Sequence, residues 1–373
     1  MKNEYDFNFQ TVHLHDSMSV REENSEYNTS EKTIGCNKIY YGVPGCGKSY
    51  KIQAMLEYKN EFQNEANTFG ITAPVSKDNI FRTTFYLDYS NVDFVGQILP
   101  VVKEKNVTYK FVPGPFTKAL EKALTKRNET IFLVIEEINR GNAAAIFGDL
   151  FQLLDRKNGI SRYPITNEFI ESYFEEKNLT ASDENKIAYV KGQITIPNNL
   201  VLLATMNTSD QNVFPLDTAF KRRWDMEQVL SDWDKCYLSK LFLPCSNITW
   251  KDFAETINEI IITPNHNTDI VIGSDKQMGA YFANEEMLSN EEFSNDKNKL
   301  KKFISNVIEY LYNDVTKFDH EVLFDKKITF DNIYKKAINY NPENNVNFFD
   351  GIFNYNVGLE NNGTQSKKDN NQR

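Results

Sequence analysis

A glycine-rich segment that ends in lysine and serine is the first feature of this sequence that could perform chemistry. Its residues match the pattern G-x-x-x-x-G-K-[ST] in full: Gly42, Val43, Pro44, Gly45, Cys46, Gly47, Lys48 and Ser49. Glycines let backbone N–H groups turn inward around a phosphate, and the helix that follows presents its N-terminus to the anion. We expect Lys48 to reach the β- and γ-phosphates of a nucleotide and the Ser49 hydroxyl to bind Mg²⁺, with Tyr50 closing the binding segment.

Two carboxylates follow a second short apolar run, 131–135. Glu136 and Glu137 stand at the end of this predicted strand, where open α/β sheets bind their ligands. Beside a phosphate-binding loop, Glu136 would hold Mg²⁺, directly or through water, and Glu137 would polarise the attacking water. Glu136 stands where Asp is usual, and its longer side chain still suits metal binding through water.

Two further polar groups follow in chain order. The apolar run 200–206 ends in Asn207, which suits a sensor of the γ-phosphate and of the lytic water. Farther on, Lys221, Arg222 and Arg223 place three cations at the end of a predicted helix. They could cap that helix through its dipole, or Arg222 and Arg223 could be arginine fingers that reach a neighbouring subunit. Because the loop, the acid pair and the sensor precede them in order, we favour the fingers.

The elements that must position these groups alternate along the chain. Strands are predicted at 37–41, 82–87, 131–135 and 200–206, and helices from Lys48 and at 116–126 and 143–155. This alternation predicts an α/β fold with a parallel sheet covered by helices on both faces. A polar insertion with its own hairpin is predicted at about 156–199. After residue 235 the pattern becomes helical, with amphipathic segments from Lys251 and Leu300.

Four regions are therefore predicted. They are a polar arm at 1–34, a nucleotide-binding α/β domain at 35–235, a smaller helical lid domain at 236–358 and a disordered tail at 359–373. The arm is expected to leave no room for a folded N-terminal module.

The 373 residues carry a net charge of −10 and 40% hydrophobic residues, which excludes a wholly disordered chain. The sequence has no apolar run long enough for a membrane span and no signal peptide. Its four cysteines lack zinc spacing, which predicts free thiols in the cytoplasm.

These motifs together resemble the AAA+ family of P-loop NTPases over about residues 36–325, and within it the McrB-like branch, the motor subunits of modified-cytosine restriction systems. The branch-specific segments are EEINRGN from Glu136, MNTSD from Met206, PLDTAFKRRW from Pro215, YLDYSNVDFVGQILP from Tyr86 and QMGAYF from Gln277. Gln211 stands where the branch has arginine, which bears on guanine preference and turnover.

The resemblance implies a P-loop α/β domain with a helical lid, and a homo-oligomeric ring, usually a hexamer, with sites at subunit interfaces. It further implies Mg²⁺-dependent hydrolysis of ATP or GTP, a separately encoded McrC-like nuclease subunit, and contact with DNA through that complex, in a restriction or phage-defence system. The alternative is a MoxR- or dynein-like chaperone or nucleotide-gated scaffold that remodels a protein partner. The string Glu175-Glu176-Lys177 is an E-x-K pattern of nucleases, but it is more typical of a solvated helix face.

Overall fold

The computed structural model describes residues 35–103, 106–179, 189–208, 213–263, 272–340 and 347–354. All of them belong to one compact unit, Thr33–Arg373. The predicted N-terminal arm, the predicted tail and Gln211 lie outside the described residues, and the domain boundaries given above stay predictions.

A parallel five-stranded sheet forms the centre of the first half of this unit, in the order β2-β5-β8-β1-β9. Two antiparallel hairpins, β3-β4 and β6-β7, lie outside it. The strands are β1 (Asn37–Gly42), β2 (Ile80–Thr84), β3 (Gly96–Lys103), β4 (Asn106–Pro113), β5 (Ile131–Glu136), β6 (Arg156–Lys157), β7 (Ile160–Ser161), β8 (Leu200–Asn207) and β9 (Asp225–Gln228).

Helices connect the strands and build the C-terminal part of the unit. They are α1 (Lys48–Leu56), α2 (Gln63–Thr68), α3 (Asn91–Val95), α4 (Pro115–Thr125), α5 (Ala143–Phe147), α6 (Glu168–Glu176), α7 (Thr218–Lys221), α8 (Trp250–Ile262), α9 (Lys297–Phe303) and α10 (Phe330–Ile338). After α9 the chain continues through π-helical turns at Ile304–Ile308 and Leu311–Val315. The α/β fold with a parallel sheet and helical segments toward the C-terminus is thus confirmed.

Burial on both faces explains why the central strands are almost continuously apolar. In β5, Leu133 and Ile135 face one hydrophobic core, while Phe132 and Val134 face another on the opposite side of the sheet. The same alternation continues in β8, since successive side chains of a strand point to opposite faces. The strands β5 and β8 pair in parallel from Ile131 with Leu200 to Ile135 with Ala204, and this register brings the polar residues at their ends together.

A separate core holds the helical C-terminal part together. Trp250 and Phe253 of α8 pack against Phe303 of α9, with Trp250 and Phe303 ring centroids 6.3 Å apart. The predicted amphipathic helices from Lys251 and Leu300 are therefore confirmed. Among the described residues, no helix is both long enough and apolar enough to cross a membrane.

Some predicted elements differ from the observed ones. The predicted helix at 143–155 is α-helical only through Phe147, because Gly148 adopts a positive φ of 53° and a 3₁₀ helix, Gly148–Leu154, follows. The hairpin of β3 and β4 was not predicted, and neither was β9. The polar insertion contains the short hairpin β6-β7 and helix α6, with Ile165 bridged to Ile194.

Candidate functional site

The glycine-rich loop lies between β1 and α1, as its pattern predicts. Gly45 and Gly47 have positive φ angles of 74° and 99°, which glycine adopts readily and residues with a Cβ atom adopt rarely. Lys48 is only 6% exposed, and its ammonium donates to the carbonyl oxygens of Gly42 at 3.1 Å and Val43 at 2.9 Å. The cation is thus held inside the loop, where a phosphate would meet it.

Cys46 occupies the middle of the loop and is buried. Burial raises the pKa of its thiol, although the ammonium of Lys48, 3.7 Å from the sulfur, acts in the opposite direction. The thiol is therefore protonated at neutral pH, and the side chain packs as a small apolar group.

Glu136 ends β5 beside the loop. One of its oxygens, Oε2, accepts hydrogen bonds from Ser49 Oγ at 2.8 Å and from Thr205 Oγ1 at 2.7 Å. The other oxygen, Oε1, accepts from the guanidinium of Arg82 on β2. The structure therefore brings the two predicted magnesium ligands, Ser49 and Glu136, into direct contact.

Glu137 sits in the left-handed region, with φ 55° and ψ 48°, an uncommon conformation for a residue other than glycine. The Asn207 amide donates to both of its carboxylate oxygens, at 2.8 and 2.9 Å. Thr205 Oγ1 accepts from the backbone N–H of Glu137 at 3.0 Å, and Asn139 donates to the backbone oxygen of Asn207 at 2.7 Å. The neighbouring strands β5 and β8 thus hold the predicted base and the predicted sensor against each other.

The donor set at this edge of the sheet fits magnesium. Mg²⁺ prefers oxygen ligands and is usually held by one or two carboxylates together with substrate phosphates. Ser49 and Glu136 supply a hydroxyl and a carboxylate within 2.8 Å of each other, next to a loop shaped for phosphate. Within the described ranges, no group of three or more His, Cys, Asp or Glu residues forms a metal cage without a nucleotide.

The segment Gln277–Phe282 of the helical part lies directly on the phosphate loop. Gly279 donates its N–H to the Pro44 oxygen at 2.9 Å, and Tyr281 donates its N–H to the Gly45 oxygen at 2.8 Å. The ring of Tyr281 also stacks on that of Tyr50, with centroids 5.7 Å apart. Two backbone hydrogen bonds and one stacked pair therefore join the helical part to the loop.

The two predicted fingers have different environments. Arg223 is 11% exposed, and its guanidinium pairs with Asp155 at 2.9 Å, donates to the Ala219 oxygen at 2.8 Å and lies 4.1 Å from the Phe151 ring centroid. Arg222 is exposed, and its side chain makes no ion pair or hydrogen bond within the described part of the chain. The structure brings neither arginine into contact with Lys48, Glu136, Glu137 or Asn207.

Sequence reasoning missed two contributors to the site, Thr205 and Arg82, and did not predict the contact that Gly279 makes. Thr205 is a polar residue inside an otherwise apolar strand, and this anomaly was a usable signal. Arg82 lies outside the quoted motifs, and Gly279 belongs to the branch-specific segment QMGAYF, whose contact with the phosphate loop was not predicted. Only the fold brings these two residues to Glu136 and Pro44.

The E-x-K string at the end of α6 is engaged in surface ion pairs. Glu175 pairs with Lys191 at 2.7 Å, and Lys177 with Glu121 at 3.6 Å. The carboxylate of Glu175 and the ammonium of Lys177, which a nuclease site would need, are thus each engaged in an ion pair.

Comparison with known proteins gives a consistent result. The model of the AAA domain, dynein-related subfamily, matches residues 38–224. A Bacillus subtilis (strain 168) protein, the type II restriction enzyme BsuMI component YdiS, is 35% identical over 352 residues, which cover 86% of this chain and 90% of that protein. The Escherichia coli (strain K12) type IV methyl-directed restriction enzyme EcoKMcrB subunit is 22% identical over 202 residues, 54% of this chain and 37% of that protein. Together with the loop, the acid pair and the sensor, these matches show that the chain belongs to the dynein-related AAA family and is an McrB-like AAA+ ATPase.

Proposed function

We propose that the chain is a Mg²⁺-dependent nucleoside triphosphatase that serves as the ring-forming motor subunit of a McrBC-like restriction system. The observation that carries this proposal is the meeting of three strand ends. There Glu136 contacts Ser49, and Asn207 donates to both carboxylate oxygens of Glu137. Such a pair of acids beside a phosphate loop has separate duties, one toward the metal and one toward water.

Each residue has a defined part in the proposed reaction. Lys48 and the loop N–H groups would bind the β- and γ-phosphates, and Ser49 with Glu136 would hold Mg²⁺, which would neutralise the phosphate charge. The carboxylate of Glu137 accepts a proton from the attacking water. Asn207 keeps that carboxylate oriented, because its amide donates to both oxygens, and Arg140 lies 3.6 Å from one of them.

The proposal that the chain forms a ring rests on Arg222 and Arg223. Hydrolysis through a loose transition state needs cationic stabilisation of the γ-phosphate beyond that of the loop lysine. We place this role on Arg222 of a neighbouring subunit, because it is exposed and makes no side-chain ion pair within the described residues. Arg223 is the less suitable finger, since its guanidinium is already held by Asp155 and Phe151.

The wider role rests on the relatives. Both are components of restriction enzymes, and we propose that this chain likewise works with a separately encoded nuclease subunit and reaches DNA through that complex. The nucleotide is ATP or GTP. The net charge of −10 opposes long-range attraction to DNA phosphates, in keeping with a motor that does not bind DNA tightly by itself.

Phosphate release by the purified chain tests the enzymatic part of the proposal. We expect hydrolysis of ATP or GTP that requires Mg²⁺ and is lost in Lys48→Ala, because the γ-phosphate loses its buried cation. Lys77→Ala is the matched control, since Lys77 is an exposed lysine of the same unit. Hydrolysis that persists in Lys48→Ala, or the lack of any nucleotide binding by the native chain, would contradict the proposal.

A protein-remodelling activity is the second candidate, and the hairpin β3-β4 favours it. Val102, Val107 and Tyr109 share one face of the hairpin and are 71%, 61% and 74% exposed. An exposed apolar face suits contact with a protein more than contact with DNA. Hydrolysis stimulated by a folded protein partner and unaffected by DNA or a nuclease subunit would favour this activity.

A further inference from the structure

Arg82 links the two elements that carry the proposed magnesium ligands. It lies on edge strand β2, and one of its guanidinium nitrogens donates to Glu136 Oε1 at the end of β5. A second nitrogen donates to Gln53 Oε1 at 2.9 Å. Gln53 lies one helical turn after Ser49 on α1, and so the guanidinium joins the helix of the hydroxyl ligand to the strand of the carboxylate ligand.

The two oxygens of Glu136 have separate partners. Oε2 accepts from Ser49 at 2.8 Å and from Thr205 at 2.7 Å, toward the phosphate loop. Oε1 accepts from Arg82 on β2. The carboxylate is therefore fixed at both ends, with Oε2 directed to the place where the Ser49 hydroxyl would share a metal ion.

The length of the Glu136 side chain explains why a second partner would be useful. Glutamate has one more rotatable bond than aspartate, and fixing it costs more conformational entropy. A charge-assisted hydrogen bond from a planar guanidinium restricts such a side chain more firmly than a neutral donor would. The side chains of Glu136 and Arg82 are 13% and 35% exposed, so water screens this ion pair only in part.

We propose that Arg82 is a positioning residue for Mg²⁺ binding, which acts by holding Glu136 in the orientation that the metal requires. This inference rests on the proposed triphosphatase function and adds a residue to its site. Arg82 does not touch the metal, the nucleotide or the reacting water in this role. Partners of metal ligands typically contribute about 10- to 100-fold to metal affinity.

Binding of a fluorescent ATP or GTP analogue, titrated with Mg²⁺, tests the inference without any measurement of turnover. In Arg82→Ala we expect affinity in EDTA to stay within about twofold of the native value. The Mg²⁺ concentration at half-maximal tightening should rise about 10-fold or more. Gln53→Ala should give a smaller rise, because it removes only the support of the guanidinium. Lys77→Gln, which removes an equivalent surface charge before β2, should match the native chain.

Glu136→Asp provides a second and sharper comparison. A shorter carboxylate cannot contact Ser49 and Arg82 together, so adding Arg82→Ala to Glu136→Asp should change the Mg²⁺ midpoint by less than about twofold. Such non-additivity is the signature of two side chains that act as one unit. Mn²⁺ titration followed by electron paramagnetic resonance gives the metal affinity directly, and should rank the variants in the same order.

Each outcome has a separate meaning. If the native chain binds no triphosphate with or without Mg²⁺, the proposed function fails and the role of Arg82 fails with it. If the native chain shows Mg²⁺-tightened binding and Arg82→Ala has the same midpoint, the function stands and Arg82 is only a surface ion pair. A lower midpoint in Arg82→Ala would mean that the guanidinium competes with the metal, which would also overturn the inference.

Discussion

Replacing Gly279 with alanine should loosen the contact between the helical part and the phosphate loop. A methyl group at this position would lie 2.3 Å from the backbone nitrogen of Cys46 and 2.3 Å from the carbonyl carbon of Gly45. Ordinary carbon contacts are about 3.5 Å or longer, so the two backbones must separate by roughly 1 Å. Gly279 is not among the residues with positive φ, so the effect is steric and not conformational.

The magnitude follows from the bonds that this separation breaks. The hydrogen bonds from Gly279 to Pro44 and from Tyr281 to Gly45 measure 2.9 and 2.8 Å, and neither survives a lengthening of roughly 1 Å. At ~0.5–1.5 kcal/mol each, their loss removes about 1–3 kcal/mol. The bond to the Pro44 oxygen also orients the loop. In a trans peptide the N–H of Gly45 points opposite to that oxygen, so fixing the oxygen fixes the direction of the N–H.

We therefore expect bound nucleotide to dissociate faster in Gly279→Ala. A coupling of about 1–3 kcal/mol between lid contact and nucleotide corresponds to roughly 5- to 150-fold in affinity. Stopped-flow chase of a fluorescent triphosphate gives the dissociation rate, and thermal melting checks that the fold persists.

Gly351→Ala is the matched control for this experiment. Gly351 has a φ of 73°, and a methyl there meets no atom within 4 Å. It should cost about 1–2 kcal/mol of stability through backbone strain and leave nucleotide dissociation unchanged. A folded Gly279→Ala protein that releases nucleotide at the native rate would refute the coupling.

Four further outcomes are expected. Glu137→Gln should bind nucleotide normally and hydrolyse it at least about 100-fold more slowly, measured as single-turnover phosphate release, because a positioned general base is lost; unchanged turnover would show that Glu137 is not the base. Arg222→Ala should retain binding but lose about 10³-fold in turnover, and mixing it with Lys48→Ala subunits should restore part of the activity; no recovery at any ratio would argue against action across an interface. Arg223→Ala should instead lower the free energy of unfolding by about 1 kcal/mol in urea titration, because it removes the ion pair with the partly exposed Asp155 and the contact with the Phe151 ring; undiminished stability would contradict its packing role. The purified chain alone should leave plasmid DNA uncut at low and high salt, with cleavage appearing only when a separate nuclease subunit, triphosphate and Mg²⁺ are added; cutting that a Glu175→Ala substitution abolishes would support a nuclease instead.

The sheet and the groups at its edge were predictable from the sequence for a physical reason. Strands buried on both faces must be apolar throughout, so a polar residue that ends such a run stands out, as Glu136 and Asn207 do. Parallel strands bring their carboxyl ends to one edge, and the strand order then places the acid pair beside the sensor. Local sequence is enough to predict the strands and the polar groups at their ends, because each depends on one strand, whereas the pairing of β5 with β8 depends on the fold.

The hairpin β3-β4 could not be predicted from local sequence. Its strands contain Pro100 and many exposed apolar residues, so they lack the alternation that a half-buried strand shows. The pairing of Ile98 with Phe111 is instead supported by the contact of Phe111 with Phe169 of α6, whose rings stack 6.3 Å apart. Partners more than fifty residues away decide this element, and no local pattern carries them.

Arg222 and Arg223 also differ in a way that only the fold reveals. They are adjacent and chemically identical, so sequence alone gives both the same prediction. Packing separates them, because α7 directs Arg223 onto Asp155 and Phe151 at the end of the preceding 3₁₀ helix, while Arg222 remains exposed. A guanidinium that stabilises a transition state in a neighbouring subunit must be free to approach it, and a guanidinium that holds its own fold must not. The division of roles that we propose therefore rests on the position of Asp155, sixty-eight residues before Arg223 in the chain.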